Sequence, residues 1–196
     1  LRTVKYSETS LICDIYTADH GLRTYIINGV RKARSKVGTS VVRPMSLVDL
    51  VVYHHPNKDI NRIKEIKPFY SYKRVPFEIM RGSIGLFITE VAQKTIKEEG
   101  ENSDLFNFLV ETFQVLDIAT NHIANVHLYF MVKMTSYMGF MPNRQANKND
   151  FFDYKEGCFV MEKPNHRYFF DEKSSNLLQQ LLDADWDTSM NILING

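Results

Sequence analysis

The chain has little cysteine, a single tryptophan and no long apolar run, and each shortage removes a class of protein. Cys13 and Cys158 are the only cysteines among 196 residues. One disulfide could not organise a chain of this size, so a disulfide scaffold is excluded and a reducing, cytoplasmic setting is expected. No apolar stretch approaches the roughly 18 residues of a membrane span, so no membrane association is expected. No secretory signal is visible. Leu1 to Tyr6 already reads as strand and the first residue is not Met, so we expect that the natural N-terminus is missing.

Catalytic signatures are also absent. There is no phosphate-cradling glycine loop, no HExxH pair and no Gly-x-Ser-x-Gly elbow. His54 and His55 are adjacent and would point to opposite faces of a strand. His122 and His127 fall on different faces of a helix. Cys158 and His166 supply at most two ligands where a structural zinc needs four. We therefore expect no enzyme, no cofactor and no metal.

What is present is apolar bulk and a divided charge. Apolar residues make up 44% of the chain, with 13 Phe and 10 Tyr, enough for one large or two small cored domains. Residues 1–81 carry 15 Lys/Arg against 7 Asp/Glu, a net of +8; residues 82–196 carry 9 against 16, a net of −7. Two segments with different partners would produce such a split, and so would two halves that attract each other.

The first third reads as strands. Leu11, Cys13 and Ile15 alternate with Ile12, Asp14 and Tyr16, and Asp19-His20-Gly21 makes a turn. Further extended runs are expected over residues 22–30, 41–53 (mainly 47–53) and 60–70, the last with Ile60, Ile63 and Ile66 out of clean alternation. About five short strands at this spacing suit a small barrel, with Cys13 as a buried hydrophobe. After Pro76 the period becomes helical. Met80, Ile84, Phe87, Ile88 and Val91 mark one helix ending by Gly100. Ser103 caps a second carrying Leu105, Leu109, Phe113 and Leu116, a third covers about 121–138, and a fourth runs over 174–183. Residues 143–170 read as irregular or weakly extended. Strands followed by helices give an α+β chain.

The binding signal is Gly29-Val30-Arg31-Lys32-Ala33-Arg34-Ser35-Lys36, four cations in six residues, with Arg23 and Arg43 on the flanking strands. Cations beside Tyr25 and other rings would hold phosphates and stack bases of single-stranded nucleic acid. The same run would also serve as a solvated hairpin tip that protects a sheet edge. The third helix carries large groups all round, so it is either central in a bundle or lends one side to a partner.

Several stretches together resemble a known family. Val4-Lys5-Tyr6-Ser7-Glu8-Thr9-Ser10-Leu11-Ile12, Tyr16-Thr17, His20-Gly21, Gly29-Val30-Arg31-Lys32 and Arg43-Pro44-Met45-Ser46-Leu47 are similar in order and spacing to the N-terminal domain of the bacterial recombination mediator RecO family. Leu105-Phe106, Met138-Gly139-Phe140-Met141-Pro142, Gly157-Cys158-Phe159 and residues 177–182 resemble its later part. The resemblance implies an N-terminal OB-fold β-barrel over residues 1–74 and a helical domain over 75–196, with 143–170 as an inserted segment. It implies a non-enzymatic role in recombinational repair: binding single- and double-stranded DNA, annealing strands and helping RecA replace single-stranded DNA-binding protein. RecR and the C-terminal tail of single-stranded DNA-binding protein are the implied partners. The candidate DNA-binding residues are Arg23, Arg31, Lys32, Arg34, Lys36 and Arg43; the candidate partner-binding residues are Phe130, Lys133, Met134 and Tyr137. Many members carry a four-cysteine zinc module where this chain holds only Cys158. We expect packing of Phe151, Phe152, Phe159, Tyr168 and Phe169 to replace the metal.

Overall fold

The computed structural model describes residues 1–30, 39–55, 57–97, 100–120, 122–142 and 151–194. The chain divides into two compact units, Leu1–Ile118 and Ala119–Gly196.

The first unit is built on five strands: β1 Arg2–Lys5, β2 Leu11–Thr17, β3 Gly21–Ile27, β4 Val48–Tyr53 and β5 Ile60–Pro68. They form one sheet in the order β1-β2-β3-β5-β4, antiparallel except for the parallel pair β3–β5. Among the described residues no ladder joins β4 to β1, and a single hydrogen bond from Thr3 Oγ1 to the Val42 carbonyl (2.9 Å) ties β1 to the 3-10 turn Thr39–Val42. Period-2 alternation explains the core. Leu11 faces Ile27 and Cys13 faces Tyr25 across β2–β3, and all four are buried with Val30, Val42 and Ile63. Gly21 turns the β2–β3 hairpin at φ 62°, a left-handed conformation that glycine adopts without strain.

The irregular spacing of Ile60, Ile63 and Ile66 has a specific cause. The β4–β5 register shifts between Val51 and Val52, because Val52 faces Ile63 while Val51 faces Glu65. One extra residue, Lys64, is thereby inserted into β5 as a bulge, which returns both Ile63 and Ile66 to the core side.

Helices α1 Ile79–Thr95 and α2 Ser103–Ile118 complete the unit. Ile88 and Ala92 of α1 and Leu105, Leu109, Phe113 and Leu116 of α2 recur at helical spacing and are buried. The cap of α2 is Asn102, not Ser103: Asn102 Oδ1 accepts the Leu105 N–H at 3.0 Å.

The second unit contains α3 Val126–Tyr137, α4 Glu172–Asp183 and α5 Trp186–Met190, with the short strands β6 Phe151–Asp153, β7 Cys158–Val160 and β8 Phe169–Phe170. The third helix starts later than its periodicity predicts. His122 sits at φ 52° and Ile123–Asn125 forms a 3-10 turn, so regular α-helix begins at Val126. Val126, Tyr129, Phe130 and Met134 are buried with Leu181, Leu182 and Trp186, which makes α3 the centre of this small bundle. Asn125 closes it by donating from Nδ2 to the carbonyls of Ser189 (3.1 Å) and Ile192 (2.8 Å). Helix α5 escaped the sequence pattern because it has only five residues. It is set by a capping box in which Asp185 accepts the Thr188 N–H and Thr188 reaches back to Asp185.

Residues 151–170 are ordered in strands, with β6 central between β7 and β8. Phe152 packs on Phe159 and Phe170, and Phe151 on Phe169, so these rings pack together as expected. A polar clasp joins them. Asp153 accepts the N–H groups of Lys155 (3.0 Å) and Glu156 (3.2 Å) from one oxygen and meets His166 Nε2 at 3.0 Å with the other.

Candidate nucleic-acid interface

The outward face of the five-stranded sheet carries an uninterrupted register row. Val4 faces Ile12, Ile12 faces Ile26, Ile26 faces Arg62, and Arg62 faces Tyr53. The row crosses all five strands and turns from apolar to cationic and aromatic. Arg62 is exposed and Tyr53 is 50% exposed. Exposed Arg2, Lys5 and Lys64 lie on the same strands, and Lys67 pairs with Asp49 at 3.5 Å on the β4–β5 edge. Apolar atoms for sugars and bases, a ring for stacking and cations for phosphates are the parts of a single-strand groove.

The expected residues are distributed differently. Arg31, Lys32, Arg34 and Lys36 lie outside the described residues. Arg43 is exposed, directly after the 3-10 turn Thr39–Val42. Arg23 faces Ile15 on the core side of β3 and is half-buried. Tyr25 cannot stack on a base. It is 1% exposed because the register sets it against Cys13, and burial pushes the pKa of its hydroxyl up. Tyr53 and Arg62 are the ring and cation that the sequence pattern did not single out. Their signal was alternation: Tyr53 ends the run Val48–Tyr53, and Arg62 sits between the inward Asn61 and Ile63.

His20 and His54 stack at 4.4 Å and 11°, bringing the β2–β3 turn to the end of β4. Among the described residues no group of three or more His, Cys, Asp or Glu is placed to hold a metal ion. No helix among them is long and apolar enough to cross a membrane. A groove of about 400 Å³ opens between the β2–β3 hairpin, β4 and α2, lined by Tyr16, Leu47, Phe69 and Phe106 and by Asp19 and Asp49, the latter paired with Lys67.

In the second unit, Phe130 and Met134 are buried in the bundle core. Lys133 is half-buried, donates to the Leu182 carbonyl at 3.3 Å and lies 5.2 Å from the Tyr129 ring centre. Tyr137 is half-buried. A ligand on α3 would therefore meet Lys133 and Tyr137, while Phe130 and Met134 shape the surface from beneath.

Known proteins give the same direction. The family described as Recombination protein O N terminal matches residues 1–72, and Recombination protein O C terminal matches residues 76–196. The DNA repair protein RecO of Phocaeicola vulgatus is 30% identical over 189 residues, covering 96% of this chain and 78% of that protein. The RecO of Christiangramia forsetii is 31% identical over 196 residues, covering 100% and 81%. That of Bacteroides fragilis is 28% identical over 190 residues, covering 96% and 78%. Two adjoining family matches and relatives this similar along the whole chain lead to one conclusion: the chain belongs to the Recombination protein O family of DNA repair proteins.

Proposed function

We propose that the protein is a non-enzymatic mediator of recombinational repair that binds single- and double-stranded DNA on its N-terminal half, residues 1–74. There it anneals complementary strands and assists RecA loading on DNA coated by single-stranded DNA-binding protein. The observation that carries this reading is the row Val4, Ile12, Ile26, Arg62 and Tyr53 across the sheet, in a segment with net charge +8. Annealing needs no catalytic group: cations bring two backbones together and lower their repulsion while the bases stay free to pair. Arg23, Arg43 and the loop cations Arg31, Lys32, Arg34 and Lys36 add to the positive field. RecR and the tail of single-stranded DNA-binding protein are the partners of this reading, the tail meeting the helical half at Lys133 and Tyr137. An annealing assay on complementary oligonucleotides coated with single-stranded DNA-binding protein tests it. Acceleration supports the reading; no acceleration and no DNA binding at low salt would overturn it.

A second reading, a protein-interaction scaffold of the repair machinery with weak or no direct DNA binding, is favoured by the groove beside Phe106, whose lining is largely apolar and includes Asp19. Such a groove would accept an apolar, basic peptide better than a phosphate backbone.

A further inference from the structure

The second unit carries a ring ladder that the sheet-face reading leaves unused. Along one face of the small sheet, Phe159 packs on Phe152 (4.9 Å between ring centres), Phe152 on Phe170 (5.7 Å), Phe170 on Tyr154 (5.6 Å) and Tyr154 on Tyr168 (6.1 Å). The register explains it. Phe152 faces Phe159 on one side and Phe170 on the other, and the β6–β8 register continued by one step sets Tyr154 opposite Tyr168, on the same face.

The ladder is graded. Phe152 is buried, whereas Phe170, Tyr154 and Tyr168 are 39%, 48% and 42% exposed. Rings used only for cohesion would be covered; these three remain open at the end of a buried anchor. A cation accompanies them. The Arg167 guanidinium lies 5.3 Å from the Tyr168 ring centre. On the flank, Lys163 lies 5.6 Å from the Phe169 ring. The backbone beneath is fixed: His166 Nδ1 accepts the Tyr168 N–H at 3.2 Å while Nε2 is held by Asp153.

We propose that Tyr154, Tyr168 and Phe170, with Arg167, form a base-stacking platform for single-stranded nucleic acid, separate from the row on the five-stranded sheet. Exposed rings offer stacking surface to unpaired bases of any sequence, and the arginine beside Tyr168 meets the backbone. Duplex DNA, whose bases already stack on each other, would gain little there. This inference rests on the reading that the protein binds single-stranded DNA.

The test compares an oligothymidylate with an abasic oligomer of the same length, which keeps the phosphates and removes the bases. The wild type should prefer the oligothymidylate. Tyr154→Leu with Tyr168→Leu should weaken oligothymidylate binding by about tenfold or more while leaving abasic binding and the salt slope unchanged. Tyr154→Phe with Tyr168→Phe should retain wild-type affinity, since the rings remain. Bromodeoxyuridine crosslinking of the unaltered protein should label Tyr154, Tyr168 or Phe170, a readout independent of any variant's folding. A Leu pair that binds both oligomers like the wild type, or crosslinks that spare residues 151–170, would overturn the platform and leave the first reading standing. A wild type that binds neither oligomer would overturn both.

Discussion

Asp117, at the end of α2, accepts the backbone N–H of Val75 at 3.0 Å, across 42 residues of chain. The same carboxylate accepts the N–H groups of Lys73 (2.9 Å) and Arg74 (2.8 Å) and the Tyr70 hydroxyl (3.0 Å). It thus gathers the segment that leads from β5 into α1. Beside it, buried Arg81 donates to the Leu116 carbonyl and, at 2.7 Å, to Glu78. The join between strands and helices is a polar knot, and replacing Asp117 leaves the buried Val75 N–H and three partly buried donors unpaired.

Asp117→Ala should therefore cost about 3 kcal/mol, a loss that chemical denaturation would measure. Burial works to raise the carboxyl's pKa, but the Lys73, Val75 and Arg74 N–H groups and the Tyr70 hydroxyl outweigh it and hold the value below the usual carboxylate range. A carboxyl depressed in the folded state binds protons more readily when unfolded. Its stabilisation is complete above the ordinary carboxylate range and is lost as pH falls through the depressed folded value. Asp117→Asn should flatten this acid limb of the stability profile; an unchanged limb would assign acid sensitivity elsewhere.

Gly85 on α1 leaves no room for a side chain. A Cβ there would stand 2.5 Å from Met45 Sδ and 3.3 Å from Leu116 Cδ2. The Met45 thioether would have to swing aside while its backbone stays in place at φ 71°, with the Tyr72 hydroxyl donating to its carbonyl at 2.6 Å. Gly85→Ala gains up to ~1 kcal/mol of helix propensity and loses ~2 kcal/mol to overpacking, for a net loss of about 1 kcal/mol. In a Met45→Ala background the same substitution should become stabilising. Denaturant midpoints of the four combinations give the coupling, and simple additivity would contradict the contact.

On the sheet face, Arg62→Ala should lower the log–log salt slope of single-stranded DNA binding by about 0.7, one counterion's share. Tyr53→Ala should weaken binding with no change of slope, because stacking releases no ions. A fluorescence titration at several salt concentrations separates the two effects. If both variants bind like the wild type, DNA does not cross this row.

In the small sheet, the hydrogen bond from the Tyr168 N–H requires a lone pair on His166 Nδ1, so the Nε2–H tautomer donates to Asp153. Imidazole nitrogen shifts at neutral pH should report that tautomer. Asp153→Ala should speed amide exchange at Lys155, Glu156 and Tyr168 while α2 stays protected. Equal protection in the variant would show that the rings alone hold the hairpin.

Periodicity made many of the elements legible. Alternation marked β2, β3, β4 and the inward Cys13; the 3.6-residue recurrence marked α1, α2 and α4; the change of period after Pro76 marked the passage from strands to helices. These signals are local and survive in a single chain. Short elements lacked them: α5 spans little more than one turn and β6 to β8 span two or three residues, too few to show a period.

The site was legible only in part, for the same reason. Composition alone identified a basic first half; the expectation that rings stand in for a zinc module came from the family resemblance. Which ring faces water is a matter of register. One bulge at Lys64 decides that Ile63 and Ile66 both turn inward, and pairing with Cys13 removes Tyr25 from the surface while Tyr53 is left on it. A strand repeats every two residues, so a slip of one exchanges its faces, and that choice is made by the neighbouring strands rather than by the strand itself. The sequence by itself determined the kinds of element and their chemistry. Tertiary pairing alone decided that Val4, Ile12, Ile26, Arg62 and Tyr53 form one row and that the Tyr154 ring packs against Tyr168.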